Sequence, residues 1–199
     1  MDLYTPLFEG EHICLAPMDH EKDPAIISRW THDPGYLRML DLQPARPLSP
    51  SQVKKEYEKI EKEAEEDKNL FHFTIRLREP AADGKPELCE RLIGFVRLQW
   101  VEWTHGNAAV RIGIGEPEAR GKGYGREALG LMLHYAFSEL NLFRVTAVVP
   151  EYNQVALGLF YKAGFIEEVR RREAVERDGR RWDLLHLGLL RDEWLDQEH

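Results

Sequence analysis

The hexapeptide Arg120-Gly121-Lys122-Gly123-Tyr124-Gly125 stands between a strand-like run, 109–114, and the start of an amphipathic helix. Glycines let a backbone approach an anion closely and adopt positive φ, and the first turn of a helix leaves several N–H groups without intrahelical partners. Strand, glycine turn and helix start together predict a cradle for a phosphate-bearing ligand, with diphosphate the natural guest. Arg120, Lys122 and Arg126 add positive charge beside it, which the acidic chain otherwise lacks. Two common phosphate loops do not fit. A P-loop needs a glycine five residues before Gly121, where Glu116 stands, and a hydroxyl residue after Lys122, where Gly123 stands. A dinucleotide fingerprint counted from Gly121 needs a glycine at its sixth position, which is Arg126.

The pattern that does match is R-x-x-G-x-G, and here the chain resembles the GNAT superfamily of N-acetyltransferases, whose pyrophosphate loop has this form. A second segment, Asn153 through Ala156, Leu159, Phe160 and Gly164 to Phe165, is similar to the family's second coenzyme motif, N-x-x-A-x-x-L-Y-x-x-x-G-F. The carboxyl-terminal stretch, with Arg177, Asp178, Gly179 and Trp182 running into 184–190 and then Glu193 and Trp194, resembles the branch containing ribosomal-protein N-terminal acetyltransferases. With the opening 10–15, the resemblance covers nearly the whole chain.

The resemblance implies acetyl-coenzyme A as cosubstrate; no Cys or His pair has metal-ligand spacing, so no metal is expected. It places the pantetheine arm in a gap where 110–114 splays from 143–149, with Ile112, Gly113 and Ile114 in main-chain contact and the diphosphate on Gly121, Lys122, Gly123, Tyr124, Gly125 and Arg126. Asn153 and Phe160 complete the coenzyme set. A backbone N–H near Ile114 then stabilises the oxyanion of acyl transfer. Phe160 departs from the family, which often carries there a tyrosine that protonates the leaving thiolate. Tyr161 is turned about 100° away on a helix, but a thiol of pKa about 8.5 is a fair leaving group that water can reprotonate.

No Asp or Glu lies within 108–114, so candidate bases come from Glu102 and His105 before that strand, or Glu116 and Glu118 after it. Lacking a strong base suits an α-amine, of pKa about 7.7–8.0, better than a lysine of about 10.4. The expected reaction is direct attack of a primary amine, foremost the N-terminal α-amine of a protein, on the thioester; no Ser-His or Cys-His nucleophile pattern competes. Two alternatives stay open: a non-catalytic acyl-coenzyme A sensor, and an acetyltransferase for a small amine such as a polyamine or an aminoglycoside.

The elements positioning these residues read as follows. A strand over 12–18 precedes a helix whose N-cap and N1 are Asp23 and Pro24. After a proline-rich loop, 42–50, the Ser49-Pro50-Ser51-Gln52 capping box opens a charged helix with one stripe of Val53, Tyr57, Ile60 and Ala64. Strands at 70–77 and 92–101 flank a linker, 79–90, expected to be a mobile hairpin loop. A turn at Gly106 and Asn107 leads to the strand before the glycine loop. Helix 124–140, strand 143–149, helix 153–163 and a hairpin around Asp178-Gly179 complete the chain. The fold expected is α/β, a GNAT-like mixed central sheet of about seven strands splayed in the middle and flanked by about four helices, forming one N-acetyltransferase domain over 1–199.

Composition agrees with that picture. The 199 residues are 43% hydrophobic, enough for one core. A net charge of −8 argues against a nucleic-acid partner. The arginines at 170–172, 177, 180 and 181 read as a solvated face on the last hairpin. No apolar run approaches a membrane span and the first residues lack a signal pattern, so a soluble cytoplasmic protein without a membrane partner is expected, and a homodimer is allowed. Cys14 and Cys89 read as ordinary thiols.

Overall fold

The computed structural model describes residues 6–79 and 88–196. In chain order the elements are β1 (Ile13–Ala16), α1 (Asp23–Trp30), α2 (Pro34–Leu40), α3 (Pro50–Asp67), β2 (Phe71–Glu79), β3 (Leu88–Glu102), β4 (Asn107–Ile114), α4 (Tyr124–His134), β5 (Arg144–Pro150), α5 (Gln154–Lys162), β6 (Ile166–Arg177), β7 (Arg180–Leu190) and α6 (Arg191–Leu195). One seven-stranded sheet runs β1-β2-β3-β4-β5-β7-β6. Every neighbouring pair is antiparallel except β4 with β5.

Strand alternation gives the sheet two unlike faces. Phe71, Phe73 and Ile75 of β2, Val96 and Leu98 of β3, and Val110 and Ile112 of β4 belong to the main core. That core takes in Ala128, Leu129, Met132 and Leu133 of α4. A π-helical turn, Tyr135–Glu139, continues α4 and buries Ala136 and Phe137. The intervening residues His72, Thr74 and Arg76, Arg97, and Arg111 point to the opposite side, where α1 packs on α3. The expected hairpin forms with Asp178 and Gly179 both at positive φ, 53° and 71°, as a two-residue Asp-Gly connection requires.

Several expectations need correction. The described residues hold six helices rather than about four. α2 is the main addition: Asp33 accepts from the Tyr36 N–H over 3.1 Å and Pro34 follows it, the same cap-and-proline signal as Ser49-Pro50. α6 is a single turn in which Glu193 accepts from the Leu190 N–H. Asp23 is no N-cap; it is fully buried as first residue of α1, where its Oδ2 accepts from Arg76 at 2.5 Å and from the Asp19 N–H at 2.7 Å. Cys14 and Cys89 are joined as a disulfide across a separation of 75 residues. The linker is shorter than expected, since β2 reaches Glu79 and β3 begins at Leu88; its remainder, 80–87, lies outside the described residues.

Three of the six arginines of the last hairpin are answered locally. Arg170 pairs with Glu167, Asp183 and Glu151, Arg181 pairs with Glu176, and the Arg180 guanidinium lies 4.0 Å from the Trp182 ring centroid.

Candidate active site

β4 and β5 are paired only at their beginnings, Asn107 with Arg144, Ala108 with Val145 and Ala109 with Thr146. Past that point β4 stays bonded to β3, to Gly94 opposite Ile114, while β5 follows β7 as far as Pro150 opposite Leu184. The strands therefore part, and a cleft opens between Val110, Arg111 and Ile112 on one side and Ala147, Val148 and Val149 on the other. Val148 is 44% exposed although its strand lies inside the sheet, because it faces this gap. Asn153, Ala156 and Phe160 close one end, and Met39 to Leu42 cover a side.

At the far end of β4, a 3-10 turn, Pro117–Ala119, leads into the glycine loop. Gly121 and Gly123 have φ of +74° and +91°, and Gly123 is the N-cap of α4, with no side chain capping the helix. A Cβ on either would meet nothing within 4 Å, so backbone conformation rather than crowding demands glycine here. The result is an open concavity before a helix start, which suits a diphosphate. Lys122 and Arg126 are exposed beside it, and neither has an ion-pair partner among the described residues.

Arg120 is arranged differently from the expectation. Its guanidinium donates to the carbonyls of Ile114 (3.1 Å) and Gly115 (2.8 Å) and to Asp33 (3.0 Å), and it lies 5.1 Å from the Tyr36 ring centroid. It braces the end of β4 against the start of α2. Asn153 also has both ends occupied: Oδ1 accepts from the Ala156 N–H at 3.1 Å, capping α5, and Nδ2 donates to the Met39 carbonyl at 2.9 Å. Phe160 is 4% exposed, lines the cleft and meets Phe165 edge-on at 5.1 Å. Tyr161 turns outward toward Glu167, as the helical rotation expected.

A second cavity, of about 320 Å³, lies under α1, α2 and α3 on the polar face of β2–β4. It shares Leu40, Asp41 and Arg111 with the cleft. Arg111 joins the two, donating to Asp41 at 2.6 Å and to the Leu40 carbonyl at 2.8 Å. Burial pushes the Asp41 carboxyl up, but Arg111 and the Gln43 N–H outweigh it and hold the group below the ordinary carboxylate range. The Tyr36 hydroxyl reaches β4 at Gly113, 2.9 Å from where a Cβ would stand there. Burial raises its pKa, so it keeps its proton.

This arrangement has counterparts. The family model for the acetyltransferase (GNAT) domain matches residues 12–166, most of the chain. The chain belongs to the GNAT acetyltransferase family. Among GNAT relatives, the spermidine N(1)-acetyltransferase of Vibrio cholerae is 32% identical over 108 residues, 54% of this chain and 62% of that protein, so the match spans under two thirds of it. The alpha/beta-tubulin-N-acetyltransferase 9 of Drosophila melanogaster is 31% identical over 147 residues, 70% of this chain and 72% of that protein. A crystal structure of spermidine N-acetyltransferase from Vibrio cholerae in complex with CoA and spermine superposes with a TM-score of 0.76, covering 94% of this chain and 99% of that one at 23% identity. At that identity the superposition establishes the GNAT fold.

Within this GNAT frame the sequence-derived base candidates lie away from both cavities. Glu102 and His105 are exposed in the β3–β4 turn, at the opposite end of β4 from the glycine loop, where Glu102 accepts from Asn107. Glu116 precedes the 3-10 turn, and Glu118 pairs with Arg91 at 3.3 Å. The carboxylates that line the second cavity are Asp41 and Glu56. Sequence reading passed over these two and over Tyr36, Arg97 and Arg111. A signal existed: Phe71-His72-Phe73, Val96-Arg97-Leu98 and Val110-Arg111-Ile112 each set one polar residue between apolar ones.

Proposed function

We propose that this GNAT domain transfers an acetyl group from acetyl-coenzyme A to a primary amine seated in the second cavity. The observation carrying this reading is the meeting of a strand-lined cleft, which ends in an open glycine cradle, with a separate cavity across Leu40, Asp41 and Arg111. Acetyl-coenzyme A supplies an activated acyl carbon. The chain's residues do the rest: the glycine loop, Lys122 and Arg126 hold the diphosphate, Ile112, Gly113 and Ile114 present backbone groups to the arm, and Phe160 packs beside it. The amine nitrogen bonds to the acyl carbon, the carbon–sulfur bond breaks, the amine's proton leaves to solvent and the thiolate takes one up. Tyr36, kept protonated beside Gly113, is placed to donate a hydrogen bond to the reacting groups.

For the acceptor, Asp41 is held ionised and is a weak base. That favours an amine already partly neutral at pH 7, an α-amine of pKa about 7.7–8.0, over a lysine-like amine of about 10.4. A polyamine is the competing reading, brought in by the Vibrio relative's name. Thiol release tests both levels. A peptide with a free α-amine should be acetylated faster than the same peptide capped and carrying one lysine. Tight acetyl-coenzyme A binding without thiol release from any amine would replace the enzyme by a coenzyme-binding module.

A further inference from the structure

We propose that the second cavity takes an acceptor whose primary amine carries a carboxylate a few bonds away, with Arg97 as the carboxylate's counter-ion. The inference rests on the acetyltransferase reading for its reaction, and on the following observations for its charge.

His72, Arg97 and Arg111 form one row across β2, β3 and β4, His72 opposite Arg97 and Arg97 opposite Arg111. Directly opposed side chains on antiparallel strands share a face, so two guanidiniums are set side by side, an unfavourable pairing unless anions answer both. Arg111 is answered by Asp41. Arg97 has no hydrogen bond or ion pair with any described residue, and its Nε is buried without a partner. Around it stand the Phe95 ring, 5.8 Å from the guanidinium carbon, and, acting on it without a bond, Tyr57 and the Asp41 carboxylate that Arg111 already holds. On its other side both ring nitrogens of His72 are buried and unpartnered, and burial, then Arg97, keep the ring neutral. At the rim Arg46 and Glu56 pair with each other at 3.6 Å. The lining therefore has Arg46, Arg97 and Arg111 against Asp41 and Glu56, and the positive charge left over is at Arg97. Burial, then Arg111, lower the Arg97 guanidinium to about 10, which leaves it charged at neutral pH.

The coenzyme does not supply the missing anion. Its diphosphate cradle begins beyond the end of β4, whereas Arg97 is opposite Arg111 and Gly113 lies between. Two residues of strand, about 7 Å, separate the Arg111 position from Gly113. An acceptor with its nitrogen near Gly113 reaches Arg97 with an acid only if the two groups are close together in the molecule. A planar carboxylate matches the guanidinium fork. A polycation would bring further ammonium groups toward an unanswered guanidinium.

The test is a set of acceptor pairs assayed by thiol release at fixed acetyl-coenzyme A, with each rate referred to the neutral fraction of its amine because the small amino acids are as basic as lysine and more so than their amides: β-alanine against β-alaninamide, 4-aminobutyrate against its amide, spermidine, and a tetrapeptide amide beginning with glutamate against the same peptide beginning with glutamine. The acid of a pair should lead in kcat/KM by about tenfold or more. The small acids leading identifies a free amino acid as the source; the glutamate peptide leading identifies an acidic protein terminus. Arg97→Gln should collapse the ratio toward one and Arg97→Lys should retain part of it, with calorimetric acetyl-coenzyme A binding as the folding control. Amides equal to acids, spermidine ahead of every acid, or an unchanged ratio in Arg97→Gln overturns the proposal. Should no amine be turned over, the acetyltransferase reading fails and binding decides the charge inference. Calorimetric binding of 4-aminobutyrate to the coenzyme A-loaded wild type, lost in Arg97→Gln, supports it; equal binding or none overturns it.

Discussion

The Asn153 side chain links two parts of the fold that border the cleft: its Nδ2 donates to the Met39 carbonyl at the end of α2 while its Oδ1 caps α5. Tyr152 adds a bond to the Arg38 carbonyl at 3.0 Å, and Arg177 donates to the carbonyls of Asp41 and Gln43. The segment that covers the cleft is thus held from the carboxyl-terminal half of the sheet. Asn153→Ala should remove both the cap and the link, with about 1 kcal/mol lost from the cap alone in urea unfolding. Asn153→Asp keeps an acceptor for the Ala156 N–H but has no amide donor for Met39. It should retain most of the stability while coenzyme affinity falls in both variants; equal affinity in Asp and wild type would remove the link from the binding account.

Gly123→Val should sharply weaken acetyl-coenzyme A binding. The residue stands at φ +91°, where a β-branched side chain is strained by about 1–3 kcal/mol, and its surroundings within 4 Å are open. The folded variant therefore loses the backbone conformation and the close approach to the phosphates rather than a packing contact. Calorimetry on a folded Gly123→Val protein that still binds acetyl-coenzyme A as tightly as wild type would dismiss the glycine cradle as its site.

Phe160 bears on the thiolate's proton and Tyr36 on the hydrogen bond to the reacting groups. Phe160→Tyr should change kcat by less than about tenfold, because solvent can reprotonate a thiolate. Phe160→Ala empties a buried position packed on Phe165 and should cost about 3–5 kcal/mol of stability or weaken coenzyme binding. Tyr36→Phe keeps the ring under Arg120 and deletes only the hydroxyl beside Gly113; kcat should drop by about tenfold or more. A hundredfold gain in Phe160→Tyr, or full activity in Tyr36→Phe, would reverse these assignments.

Acid should destabilise the protein partly through His72. Burial, then Arg97, lower its imidazole from 6.5 to about 3. With the folded value below the unfolded one, the unfolded chain binds the extra proton, so this contribution is complete above about pH 6.5 and is lost as pH falls toward 3. Asp33, held low chiefly by the Tyr36 N–H, and Asp41 lose stability in the same direction at lower pH. His72→Phe keeps a ring beside Phe95 and Tyr57 and removes only the His72 share. Its urea midpoint should fall less than that of wild type between pH 7 and pH 5; parallel decline would exclude His72 as a source.

What the sequence made legible was local. The glycine turn at a helix start, the Ser49 capping box and the Asp178-Gly179 hairpin each declare themselves within a few residues, and each formed as expected. The second cavity did not, because His72, Arg97 and Arg111 become neighbours only through strand register. The same holds for the Cys14–Cys89 disulfide and for Arg120, whose partners Asp33 and Gly115 come from separate elements. α2 was overlooked for a different reason: its cap-and-proline signal was present, but seven residues give too short a periodic pattern to stand out.

The parting of β4 from β5 makes the middle strand of the sheet an edge over half its length. From Val110 onward, β4 has a hydrogen-bonded strand neighbour on the β3 side alone. Natural sheets shield such borders, since exposed ones invite pairing with other chains. Here Met39 to Leu42 lie across it, and an extended ligand with amide groups of its own can serve as the missing strand. Backbone amides of 110–114 on the cleft side should accordingly exchange with deuterium like those of a sheet margin when the coenzyme is absent, and like those of a sheet interior when it is bound.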